Sequence, residues 1–150
     1  MSDKRDALKA ACDAALADPD FQPAGGVTHC NQALNYIALA MDCDELAGIC
    51  ADAQYKVMDE NASGRWTKVV GAIAAIHALG GGLAVAALPG ARLGEAHGHV
   101  AAVYPLGMQA SRSLGHDVPL LANVGKTVGV MKSSAAFPVA SGEADYFAWA

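Results

Sequence analysis

The chain has 150 residues, 53% of them hydrophobic but only 6% aromatic, and 10 Lys and Arg against 15 Asp and Glu give a formal net charge of −5. That length is one domain, the apolar content excludes a disordered chain, and the core must be built largely from Ala, Val and Leu packed at close range. Without a Lys/Arg cluster, the acidic balance excludes a nucleic-acid or anionic-membrane surface, because phosphate binding needs concentrated positive charge.

The first twenty residues carry scattered acids and no unbroken apolar run of the kind a signal peptide needs, so the expectation is synthesis in the cytoplasm without a Sec signal. From Asp3 to Ala17, the residues Ala7, Leu8, Ala11, Ala15 and Leu16 fall on one helical stripe, which Asp-Pro-Asp at 18 to 20 stops. A loop with Pro23, Gly25 and Gly26 follows. Thr28 suits an N-cap, and Ala33, Leu34, Ile37, Ala38 and Met41 repeat at helical spacing from Asn31, so this second helix begins almost on top of Cys30. Glu45 to Glu60 reads as a further helix with Leu46, Ile49, Cys50, Val57 and Met58 inward, and Trp66 to Leu79 as another, ended by glycines. The most apolar stretch, Val69 to Leu88, carries His77 and the Gly80, Gly81, Gly82 run, which would break a membrane span; it reads as helix, turn, strand.

Beyond Gly82 the texture changes to short β-rich runs separated by Pro and Gly: Leu83 to Leu88, His99 to Tyr104, Val118 to Val124, Thr127 to Met131 and Tyr146 to Trp149. Helices first and strands afterwards is the α+β pattern, here expected as helices packed on one face of a small antiparallel sheet. Residues 1–22 read as an N-terminal helix and linker ahead of a core at 23–150. Cys12, Cys30, Cys43 and Cys50, without a secretion signal, read as reduced thiols.

Cys30 is the most informative residue, because P-A-G-G-V-T-H-C-N places it in the first turn of a helix. Unpaired N–H groups and the helix dipole there favour a thiolate, and the glycines let a substrate chain approach the backbone. The competing reading is a small buried apolar thiol, as assumed for the other three. His99 opens the run G-H-V-A-A-V-Y-P at a sheet rim, with Ala101 and Val103 on its own face, a position from which an imidazole can take a proton from a thiol. Its competing reading is a rim histidine without chemical duty. If V-P-L-L-A-N-V pairs antiparallel with that strand, Asn123 neighbours His99 and can fix its tautomer. The alternative is a turn-forming Asn before Gly125. Asp117 is a weaker candidate for the orienting role, expected in a loop running from Leu106 to Asp117. His29 and Thr28 adjoin Cys30 and are candidates for contacting substrate or an oxyanion, for which the backbone N–H of Cys30 is the more typical donor.

Taken together, T-H-C-N-Q-A-L opening a helix, S-G-R-W-T-K-V before a helix ending A-L-G-G-G-L-A-V-A-A, then G-H-V-A-A-V-Y-P and P-L-L-A-N-V-G resemble the papain-like CHAP and NlpC-type cell-wall amidases and peptidases, from about Thr28 to Phe137. The resemblance implies a papain-like fold and assigns the nucleophile to Cys30, the base to His99 and the orienting residue to Asn123. It implies hydrolysis of an amide in the peptide of peptidoglycan, without metal or organic cofactor, after release or export to the cell wall as a phage-type lysin or secreted effector. An immunity protein or a delivery apparatus would then be its partner. The same triad also serves thiol amidases or deamidases acting on a protein or small amide, and a third reading is an inactive structural or binding module of a phage or secretion apparatus.

Other signals carry less. Gly125-Lys126-Thr127 lacks the earlier glycine of a phosphate loop, since that position is Leu120. The Gly80 to Gly82 run stands between helix and strand, the reverse of a dinucleotide-binding order. His97 and His99 with Cys30 or Glu95 could be imagined around a metal, but Cys43 and Cys50 lack the close spacing of a structural zinc site. Trp66, Trp149 and Tyr104 could line a groove, although burial in the core is the commoner fate.

Overall fold

The computed structural model describes residues 2–150. It contains six α-helices, α1 (Ser2–Ala17), α2 (Cys30–Ala40), α3 (Ala51–Glu60), α4 (Gly71–Leu79), α5 (Gly90–Leu93) and α6 (Ser133–Ala136), the last two a single turn each. Six strands, β1 (Trp66–Val69), β2 (Ala84–Leu88), β3 (His99–Ser111), β4 (His116–Val124), β5 (Val128–Lys132) and β6 (Asp145–Trp149), form one antiparallel sheet in the order β1-β6-β2-β3-β4-β5. The α+β class expected from the sequence is therefore present. No helix among the described residues is long and apolar enough to cross a membrane.

The helices cover both faces of the sheet rather than one. Register places Val85, Ala102 and Phe147 on one face, and Ala86, Ala101 and Tyr146 on the other. On the first face Tyr104 donates from its hydroxyl to Asp13 of α1 at 2.6 Å, and Tyr55 of α3 meets Phe147 edge-on with ring centroids 5.6 Å apart. Across the sheet, the Tyr146 hydroxyl donates to Ser133 of α6 at 2.8 Å, and Gly71 of α4 packs against Tyr146 and Pro119. Strand β2, A-V-A-A-L, is buried at all five positions. A continuous apolar run without alternation is the mark of a strand covered on both sides. Small side chains, Ala74, Ala75 and Ala78 on α4 and Ala84 and Ala86 on the facing side of β2, are all buried and let these layers approach closely.

Helix α1 is a full member of the core, not an appendage: Leu8, Cys12 and Ala15 are completely buried, and Ala11 is nearly so. Cys12 pays for that position in acidity, its thiol pushed up to about 12 by desolvation.

Two helix boundaries differ from the sequence reading. Residues 45–48 form a turn with Gly48 at φ +71°, and Cys50 is in extended conformation as the N-cap, so α3 starts at Ala51 and Cys50 is exposed instead of inward. The fully buried polar residue of α3 is Gln54, whose Nε2 donates to the carbonyls of Asn31 and Leu46. Trp66–Val69 is a strand, not the start of a helix: W-T-K-V has aromatic and β-branched residues that pair with β6, and the helix begins only at Gly71. Trp66 and Trp149 are buried with ring centroids 5.0 Å apart, and Tyr104 is buried too, so all three are core residues.

The expected loop from Leu106 to Asp117 is instead a long hairpin. Strands β3 and β4 stay paired out to Ser111 and His116, which places Asp117 in β4, far from His99 along the hairpin. The ladder is irregular between Val103 and Met108, where Pro105 has no N–H to donate and Gly107 has φ +90°.

Candidate active site

Strands β3 and β4 run antiparallel, so the first residue of one lies beside the end of the other. His99 and Asn123 meet there, as the expected pairing requires. Asn123 is buried, and its Nδ2 donates to the Thr127 carbonyl at 2.9 Å. That bond turns Oδ1 towards the imidazole, where it accepts from His99 Nε2 at 2.7 Å. With the proton on Nε2, Nδ1 is the unprotonated, basic nitrogen. Phe137, immediately after α6, packs on the ring at 4.9 Å between centroids. Gly125 lies over it from the turn: a Cβ added there would stand 3.2 Å from His99 Cε1 and 3.6 Å from Asn123 Nδ2. The imidazole is thus held on three sides. Burial lowers its pKa, opposed by the Asn123 hydrogen bond and by the Glu95 carboxylate.

Cys30 is the first residue of α2 and is 7% exposed. Burial pushes its thiol upwards, and the backbone N–H groups of Val100, Asn31 and Cys30 pull the other way. A helix start alone is expected to favour the thiolate, but here desolvation outweighs the N–H groups, and the two shifts favour an uncharged thiol and an uncharged imidazole. The two share one cavity of about 370 Å³, lined also by Thr28, Asn123 and Gly125. No hydrogen bond joins the thiol to the ring among the described residues. Catalytic hydrogen bonds commonly tighten only once substrate binds.

Thr28 lines this cavity, but it is not the helix cap; His29 is, and it makes no side-chain cap bond. His29 is hydrogen-bonded through Nδ1 to Gln32 Oε1 at 2.8 Å and lies outside the cavity lining. Cys12, Cys43 and Cys50 are free thiols away from the cavity. No set of three or more His, Cys, Asp or Glu side chains among the described residues is grouped to hold a metal.

The cavity is walled by two connections. On one side is the segment from Leu93 to Gly98, tethered where Asp52 accepts the Gly90 N–H at 2.8 Å and where Arg92 donates to Asp145 at 2.8 Å. On the other side is the β4–β5 turn, Gly125 to Thr127, with Ala135, Ala136 and Pro138 beyond it. The sequence reading missed Phe137, the Thr127 carbonyl and the packing duty of Gly125. Of these only N-V-G-K-T carries a signal in the sequence, a turn that closes directly after Asn123.

Should the site act as a cysteine amidase, as proposed below, Asn123→Ala is expected to reduce turnover about 10- to 100-fold, the usual worth of an orienting hydrogen bond, with KM little changed. It would also cost about 1–3 kcal/mol in stability, since the buried His99 N–H loses its acceptor. Steady-state kinetics and thermal melts check both. No family model matches the chain, and no curated protein does.

Proposed function

We propose that the chain is a papain-like cysteine amidase or endopeptidase that hydrolyses an amide in the peptide part of peptidoglycan, with Cys30 as nucleophile, His99 as base and Asn123 orienting the base. The observation that carries this reading is the bond from His99 Nε2 to Asn123 Oδ1 at 2.7 Å, which leaves Nδ1 basic in the cavity that Cys30 also lines. The wall as substrate rests on the order and spacing of the four motifs in the sequence.

In the reaction, His99 Nδ1 takes the thiol proton as sulfur attacks the scissile carbonyl carbon. Backbone N–H groups at the start of α2 hold the oxyanion. The C–N bond then breaks, and the imidazolium gives its proton to the departing amine. Water, deprotonated by His99, attacks the thioester and frees the carboxylic acid and the Cys30 thiol. A neutral resting pair suits this sequence, because the proton moves only when a carbonyl is in reach.

Digestion of purified sacculi by the wild type and by Cys30→Ser, followed by mass analysis of soluble fragments, tests the reading. Expected are a new amine and a new carboxylate at one peptide amide, released by the wild type alone. Intact sacculi alongside cleavage of other amides would move the activity to a protein or small-molecule amidase. Alkylation of Cys30 no faster than its burial allows, slower than that of the exposed Cys50, with no cleavage, would leave a non-catalytic module.

A further inference from the structure

Two charged side chains face the cavity that contains Cys30, Glu95 and Lys126, and among the described residues neither is in an ion pair. Topology sets them on opposite sides. The sheet order β2-β3-β4-β5 puts the β2–β3 connection, with Glu95, on one flank of His99 and Asn123, and the β4–β5 turn, with Lys126, on the other. The backbone of each carrier is hydrogen-bonded: the Glu95 N–H donates to the Gly90 carbonyl at 3.0 Å, and the Gly125 N–H donates to the Thr127 carbonyl at 3.2 Å across Lys126. The Glu95 segment is tethered through Gly90 and Arg92, and Lys126 sits between Gly125, packed on the imidazole, and Thr127, whose carbonyl holds Asn123. Apart from the His97 imidazole, which lies on the same wall as Glu95, the other side chains of these walls, Leu93, Ala96, Ala135, Ala136 and Pro138, are not ionisable.

Resting on the cysteine-amidase reading of the same site, we propose that the cavity selects an amide flanked by charges of opposite sign: an ammonium group on the side of Glu95 and a carboxylate on the side of Lys126. An uncharged polypeptide segment would leave both rim charges without a partner, whereas a short peptide with a free amine on one side of the scissile bond and a free carboxylate on the other satisfies both. The negative field of Glu95 reaches the ring itself, since it works against the burial of His99.

The test uses the full chain and three small alkylating agents of different charge: neutral iodoacetamide, anionic iodoacetate and cationic 2-bromoethylamine, with Cys30 modification followed by peptide mass spectrometry. Each rate is taken relative to iodoacetamide, which cancels changes in the thiol itself. Glu95→Gln is expected to lower the relative rate of 2-bromoethylamine about fivefold, and Lys126→Gln that of iodoacetate by a similar factor, the worth of one unit charge at close range in water. Both effects should fade at about 1 M salt. Both positions are exposed, so the fold survives either change. A relative rate that stays put in either variant, or a change common to all three reagents, overturns the assignment. If sacculi are digested but the charges do not sort the reagents, this inference fails alone; if the charges sort them and sacculi stay intact, the peptidoglycan reading fails and the selection stands.

Discussion

Cys30→Ala is expected to lower amide cleavage by at least about 10⁴-fold while the protein keeps its fold. Losing a nucleophile removes the whole acyl-transfer route and not one increment of transition-state binding, which is why single losses of this kind approach the loss of a complete triad. The side chain is small, one sulfur, and its removal opens little space at a site already bordering the cavity. Thermal melting should therefore change little. Turnover within tenfold of wild type by a Cys30→Ala protein with an unchanged melt would refute the nucleophile assignment.

His99→Ala is the second large effect, about 10²- to 10⁴-fold in kcat, the range for a positioned general base. Its signature is the pH profile. Burial depresses the imidazole, so the wild-type rate should hold down through the ordinary histidine range near 6.5 and fall only below it. In His99→Ala that acid limb should disappear. Stability follows the same sign: the unfolded chain binds the proton more readily than the folded one, so this contribution is complete above the unfolded value and is lost as pH falls through the lower folded value. A mutant that keeps the acid limb would show that another group titrates there. Phe137 and Asn123 both lose their partner in this variant, so a melt should accompany the kinetics.

What could be read from the sequence depended on whether neighbours along the chain or across it decided the structure. The stripe of α1, the start of α2 at Cys30 and the strands after Gly82 are local periodicities, and they appear within a residue or two at most of their boundaries, apart from the hairpin extension. Trp66–Val69 carries no decisive local sign of its strand, because its structure comes from pairing with β6, roughly eighty residues on. The extension of β3 past Tyr104 was hidden behind Pro105 and Gly107, which interrupt the ladder without ending it. At the site, Cys30, His99 and Asn123 were legible as types at helix and strand ends. Phe137, arriving from a different connection to pack on the ring, was not. The direction of the Cys30 shift was also beyond reach, because local sequence shows the N–H groups at a helix start but not the depth at which they are buried.

The sulfur rides on a helix that packs beside α1 and against β3, whereas the ring and its carboxamide belong to the sheet itself. In the proposed reaction the proton therefore crosses between a helix and the sheet, a gap set by how α2 is seated. Beyond Cys30, the buried residues of α2 are Ala33, Leu34, Ile37 and Ala38, and none of them lines the cavity. On the proposed mechanism, a methylene added or removed beneath the helix would widen or narrow that gap with Cys30, His99 and Asn123 left untouched, so the rate would respond to packing in the core.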